Sequence, residues 1–208
     1  MSLILLYVYK LIGYMVIAFP FYIIGRFVYI KRKKQQASVG REFLLGFFFL
    51  YIIAVASQTI IPKWDAGIIS STGEFYFNVQ WSNKIASVNI IPFRTLFLYL
   101  QANPNIDNWS SLSMVNIFGN MFVFTPIGIF VPLLYRRLRS LKKILIVALV
   151  VTCFIEITQL FIGRSTDIDD VILNTIGVMI GYGMFAFVNS KINRSVELKE
   201  KMKKYGGI

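Results

Sequence analysis

Residues 114–135 read MVNIFGNMFVFTPIGIFVPLLY, 22 positions without a charge. The hydrocarbon core of a bilayer takes about 20 apolar residues of helix, so a run of this length predicts a crossing. Similar blocks recur on both sides of it. Phe43–Ile61 runs 19 residues without a charge, Ile144–Gly163 runs 20 broken only by Glu156, and Val171–Ser190 runs 20 with none. Leu3–Ile30 is apolar throughout except for Lys10 and Arg26. The expectation is an all-α fold: a polytopic membrane helix bundle of about five transmembrane helices in one domain covering 1–208. The spans are expected over about 8–30, 43–61, 113–135, 144–163 and 170–190. Composition agrees, with 56% hydrophobic and only 15% charged residues, outside the usual range of soluble domains.

A formal charge of +12 raises the question of a nucleic-acid partner, and the placement of the charges answers it. The basic residues fall in three short clusters beside the spans: Lys31–Lys34 with Arg41, Arg136–Lys143, and Lys191–Lys204. These occupy alternate loops and hold 16 of the cations, against Lys63, Lys84, Arg94 and Arg164 in the others. That asymmetry is the positive-inside pattern, so the N-terminus is expected outside and the C-terminus inside. The partner is then the lipid bilayer, with no nucleic acid. The apolar N-terminal stretch is too long for a cleaved signal peptide, and its basic cluster follows it instead of preceding it. The single cysteine, Cys153, lies inside a span and is read as packing. Histidine is absent, which removes the commonest general base and zinc ligand. No metal site and no cofactor are assigned.

The one long loop, about 62–112, is expected outside. Loops of this length are usually functional or disordered. Gly73–Trp81, GEFYFNVQW, reads as a short strand or an interfacial segment. In Pro92–Gln101, Phe93, Leu96, Phe97 and Leu100 keep helical spacing, which predicts a helix lying on the outer interface and ended by Asn103-Pro104-Asn105. The tail after Ser190 is expected to be loose. A kink is expected near Pro126.

Polar side chains inside a membrane are costly and mark function or helix–helix contacts by default. Here they form three stripes. Thr152, Glu156, Gln159 and Gly163 share a face of the fourth span. Asp170, Asn174, Gly177 and Gly181 share a face of the fifth, and Ser113, Asn116 and Asn120 a face of the third. At 1.5 Å per residue, Glu156 and Asn174 lie about 9 Å and Asn120 about 10 Å below the same surface. The expectation is a polar pocket opening outward, with Arg164, Asp167, Asp169 and Asp170 at its mouth. Each residue also has a structural reading. Gly177 and Gly181 form a GxxxG packing motif. Asn120 and Asn174 serve interhelical hydrogen bonds as readily as a ligand. Asp169 or Asp170 caps the fifth span. Arg164 pairs with Glu156 or with an aspartate of the hairpin. Lys10 snorkels to the interface or faces the acidic residues. Glu156 resists a structural reading best, because an unpaired carboxyl in mid-span is expensive.

The motifs resemble the VanZ-like family of bacterial membrane proteins from about Asn89 to Gly183. Asn89-Ile90-Ile91-Pro92-Phe93 is similar to its N-x-x-P-F element, and Asn120 through Gly128 to its N-x-x-x-F-x-P-x-G span. Glu156-Ile157-Thr158-Gln159 is similar to its E-x-x-Q, with Arg164 following. Asp167, Asp170, Asn174, Gly177 and Gly181 are similar to its D-x-x-D/N/G/G run. The resemblance implies a multi-pass protein of a Gram-positive cell envelope. The family's namesake gives low-level resistance to teicoplanin, a glycopeptide with an acyl chain that meets wall precursors at the outer leaflet.

Three functions remain open. The first is recognition of an amphiphile, such as a lipid-linked wall precursor or a lipoglycopeptide, by Asn89, Arg94, Asn116, Asn120, Glu156, Gln159, Arg164, Asp167, Asp170 and Asn174. Arginine suits carboxylate or phosphate, and carboxylates suit amines and amides. The second is a membrane hydrolase or transferase on an envelope lipid, with Glu156 as acid/base and Arg164 and Asp167 beside it. In that case Asp167, Asp169 or Asp170 would hold a divalent cation. No nucleophile motif such as G-x-S-x-G supports it. The third is transport, which five spans without a repeat disfavour.

Overall fold

The computed structural model describes residues 3–33, 38–80, 87–101 and 109–205. Trp81, Lys34, Lys84 and the Asn103–Asn105 terminator lie outside the described residues, as does the side chain of Ser113. In chain order the elements are α1 (Leu3–Lys33), α2 (Val39–Thr59), β1 (Lys63–Ile68), β2 (Phe75–Gln80), β3 (Val88–Asn89) and α3 (Arg94–Leu100). They continue with α4 (Trp109–Leu134), a single 3₁₀ turn (Arg136–Leu138), α5 (Leu141–Phe161), β4 (Thr166–Asp167) and α6 (Ile168–Tyr205). Among the described residues five helices, α1, α2, α4, α5 and α6, are long and apolar enough to cross a membrane. Each overlaps one of the five expected spans.

The chain divides into two compact units. One holds α1, α2, β1–β3, the end of α5 from Phe154, and β4. Here α1 and α2 run antiparallel. Tyr22 stacks on Phe49 with ring centroids 4.8 Å apart, its ring lies 3.5 Å from where a Cβ on Gly46 would sit, and Arg26 makes a two-pronged ion pair with Glu42. The strand reading of Gly73–Trp81 holds for β2. Its antiparallel partner, β1, was not foreseen, and the two are joined through Gly73 in the left-handed region (φ 72°). Two-residue β3 pairs in parallel with β4, linking the long loop to the α5–α6 turn.

The other unit holds α3, α4, the 3₁₀ turn, α5 up to Cys153, and α6. Helices α4 and α6 are in backbone contact. A Cβ on Gly177 would collide with the Met121 carbonyl, one on Gly181 with that of Thr125, and one on Gly128 with that of Val178. This is the packing expected of GxxxG, since only a hydrogen side chain lets backbones approach so closely. Phe124, Ile127 and Val131 of α4 and Val171, Leu173 and Val178 of α6 are buried. Helix α4 runs on through Pro126 and Pro132. Past its end, Arg139 Nε donates to the Pro132 carbonyl at 2.9 Å, and the Tyr182 hydroxyl donates to the Arg139 carbonyl at 2.9 Å.

The expected loose tail is helical: α6 is 38 residues long. That is about 57 Å at 1.5 Å per residue, well beyond the roughly 30 Å of a hydrocarbon core. Lys, Glu, Leu and Met are strong helix formers, and Glu197 pairs with Lys201 at 2.7 Å, one turn on. A run of charged residues with high helix propensity thus continues the helix past Ser190.

Candidate functional site

The polar residues fall into two groups, one in each unit, and each has its own logic.

In the first unit the centre is Glu156, only 4% exposed. It belongs to a buried face of α5 made by Ile144, Ala148, Thr152, Ile155, Glu156 and Gln159, which recur at helical spacing. Its Oε2 accepts the Asp167 backbone N–H at 3.0 Å, and its carbonyl accepts the Thr166 hydroxyl at 3.1 Å. Asn89 Nδ2 donates to Asp167 Oδ1 at 3.0 Å, and the Thr166 N–H donates to Ser87 O at 3.0 Å. Asn89, Glu156 and Asp167, far apart in sequence, thus form one hydrogen-bonded cluster built on the β3–β4 pairing. The turn that makes this possible is glycine-dependent. Helix α5 ends with Arg164 N–H donating to the Gln159 carbonyl at 2.9 Å and Gly163 at φ 75°, the geometry of a Schellman cap.

Arg164 does not pair with Glu156 or with the hairpin aspartates. It is exposed, and its Nη1 donates to the carbonyls of Gln58 and Thr59 at 2.9 and 3.0 Å. Gln159 Nε2 also donates to Thr59 O, at 3.3 Å. The last carbonyls of α2 lack intrahelical partners and carry the negative end of its dipole, so a guanidinium is a fitting cap. Lys10 does not face the acidic residues either. It donates to the Trp64 carbonyl at 2.8 Å and lies 5.0 Å over the Trp64 ring.

In the second unit, Asn120 Nδ2 donates to Asp170 Oδ1 at 2.8 Å, joining α4 to α6. Asn116 Nδ2 donates to the Tyr99 hydroxyl at 3.4 Å. One turn on from Asp170 lies Asn174, 4% exposed, whose buried Oδ1 has no hydrogen-bond partner among the described residues. Arg94 opens α3 and is exposed.

Asp169 has a role that reaches beyond its own helix. It sits in the first turn of α6, where its charge suits the dipole, and its carboxylate also serves α3. Oδ1 accepts the Phe93 N–H, and Oδ2 accepts those of Thr95 and Leu96 at 2.8 and 3.1 Å. Phe93 is the described non-glycine residue with a positive φ (67°), a conformation costly for a bulky side chain. The amides of that strained turn converge on one carboxylate 1% exposed. No spacing rule connects Asp169 to α3. The available signal was a short helix without a capping side chain of its own, since its N-cap position is Phe93.

Residues 47–189 match the model of the family described as VanZ/LLP1. The chain belongs to the VanZ/LLP1 family. It is similar to Protein VanZ of Enterococcus faecium, 26% identical over 101 residues. That stretch is 48% of this chain and 63% of the relative, so the match spans less than two thirds of that protein's length. No solved structure matches. The VanZ/LLP1 match runs from α2 into α6 and takes in every candidate residue from Asn89 to Asn174. With five helices fit to span a bilayer, this member is a multi-pass bacterial membrane protein.

Proposed function

We propose that this VanZ/LLP1 protein recognises, at the outer face of the membrane, the polar head of an amphiphilic envelope molecule. The N-terminus lies outside and the C-terminus inside. The ligand is a lipid-linked wall precursor or a lipoglycopeptide, and its recognition contributes to teicoplanin resistance, in keeping with the family's namesake. One observation carries the reading: the buried Oδ1 of Asn174, without a hydrogen-bond partner among the described residues and one turn from Asp170 on the same face of α6. A buried acceptor without a donor costs free energy, and a ligand N–H or O–H would recover it. Carboxylate and amide oxygens together call for a donor-rich head, which peptide and sugar groups supply. Catalysis has less support. The Glu156 carboxylate accepts the backbone N–H of Asp167 and so works as a brace for the turn after α5.

The test is titration of the protein in lipid nanodiscs with teicoplanin, with the same glycopeptide lacking its acyl chain, and with a lipid-linked precursor. Asn174→Leu should weaken binding of the preferred ligand about tenfold, the equivalent of one hydrogen bond of roughly 1.4 kcal/mol, and leave thermal stability unchanged or raised. Unaltered affinity would sink the assignment of Asn174. A lowered melting temperature would make Asn174 helix–helix glue. Loss of a chemical change in envelope lipids on Glu156→Gln would restore the enzyme reading.

A further inference from the structure

The register of β1 and β2 sorts their side chains onto two faces. Trp64 opposes Val79, Ala66 opposes Phe77, and Ile68 opposes Phe75. Because successive side chains alternate, these six residues share one face, and all are apolar. The other face carries Asp65 opposite Asn78 and Gly67 opposite Tyr76. There the Tyr76 hydroxyl donates to Asp65 at 3.2 Å, and the Asp65 charge pushes the phenol pKa up. The apolar face is bare at its tip: Ile68 is 68%, Phe75 72% and Phe77 60% exposed. A two-stranded hairpin is marginal in water, and an uncovered aromatic face makes it worse.

The root of the hairpin is pinned to the N-terminal half of α1. The Trp64 indole donates to the Tyr14 hydroxyl, its carbonyl takes the Lys10 ammonium, and its ring packs on Phe77 with centroids 5.7 Å apart. Lys10 and Tyr14 lie in the N-terminal half of α1, and Lys10 is the charged residue of that half, so the hairpin root sits toward the end at which that helix begins. On the other side only Ile60, Ile61 and Pro62 separate the end of α2 from β1. Four residue steps reach about 14 Å at most, so the hairpin cannot leave the surface. Trp64, at the root of the apolar face, is the residue that meets Tyr14 of α1, so that face adjoins the apolar surface of the first span. Tryptophan, tyrosine and a lysine stem are the side chains that settle at a membrane–water boundary.

We propose that the β1–β2 hairpin is a lipid wedge. Ile68, Phe75 and Phe77 insert at the boundary between headgroups and acyl chains, in the leaflet where α1 begins and α2 ends, while Asp65, Tyr76 and Asn78 face water. The wedge sets the depth of the α1–α2 pair independently of any ligand bound elsewhere.

The experiment uses the full chain with Cys153→Ser, in vesicles of mixed zwitterionic and anionic phospholipid. Phe75→Cys, Tyr76→Cys, Phe77→Cys and Asn78→Cys each carry a nitroxide label. Collisions with oxygen, which partitions into lipid, are compared with those of a water-soluble nickel chelate. Positions 75 and 77 should show an oxygen-to-nickel ratio at least tenfold above 76 and 78, alternating with period two. Equal nickel access at all four would put the face in water and overturn the wedge. Exclusion of both reagents from 75 and 77 would mean that a second copy or another protein covers the face, which also overturns it. Since a label replaces a ring, a second measurement keeps both phenylalanines. Trp81→Phe with Trp109→Phe leaves Trp64 as the sole tryptophan. Lipids brominated near the carbonyl end of the chain should then quench it strongly and acrylamide weakly, and the reverse order would overturn the proposal.

Discussion

Two pairs of apolar helices in this chain are joined by opposite means. In α4–α6 the contact is made by what is missing: Gly128, Gly177 and Gly181 bring backbone against backbone. In α1–α2 it is made by what is added: stacked rings of Tyr22 and Phe49 and the Arg26–Glu42 ion pair, with only Gly46, Val55 and Ser57 of α2 buried. Lipid tails are as apolar as leucine, so hydrophobic burial does little to hold helices together inside a bilayer. Close packing and polar ties are what remain, and each pair uses chiefly one of them. The tightly packed pair also carries Asp169, Asp170 and Asn174.

The sharpest way to break the contrast is to make one change in both pairs. Gly177→Ala combined with Gly181→Ala drives two methyl groups into carbonyls of α4 and should cost about 3 kcal/mol, read from unfolding in mixed detergent. Gly46→Ala meets the Tyr22 ring at an ordinary 3.5 Å, and Gly183→Ala meets nothing within 4 Å, so both should stay within about 1 kcal/mol of the parent. Equal losses at all these sites would erase the distinction.

Asp169→Asn comes next. It weakens the acceptor of three amides at the start of α3 and should cost about 2 kcal/mol, typical of hydrogen bonds to a charged group. Hydrogen exchange at Phe93, Thr95 and Leu96 should accelerate while α4–α6 stays protected. Acceleration throughout would mean that α3 and the glycine contact form one cooperative block.

The ionic tie of α1–α2 should be smaller. Arg26→Met and Glu42→Met, singly and together, should return a coupling of about 1 kcal/mol, since both groups remain a quarter exposed. The smallest effect belongs to Asn120 and Asp170. A cycle of Asn120→Ala and Asp170→Ala should give about 0.6 kcal/mol, the usual worth of an interhelical hydrogen bond in a membrane. A much larger value would make that bond, and not the glycines, the main tie of α4–α6.

The sequence by itself determined the five crossings, the packing face of Gly177 and Gly181 and the short helix after Pro92, and offered the strand after Gly73 as one of two readings. These follow from hydrocarbon thickness and from side-chain periodicity, forces that act within a few turns of one segment. It also singled out Glu156, Asn120 and Asn174 as polar groups that lipid would not tolerate unanswered. Only the tertiary structure decided who answers. Asp169 serves amides more than 70 residues upstream, Arg164 caps carbonyls more than 100 residues away, and Glu156 braces the turn that follows its own helix. A helix end leaves backbone groups unpaired, and any charged side chain that the fold carries there will take them. That choice depends on proximity in space, which spacing along the chain does not record.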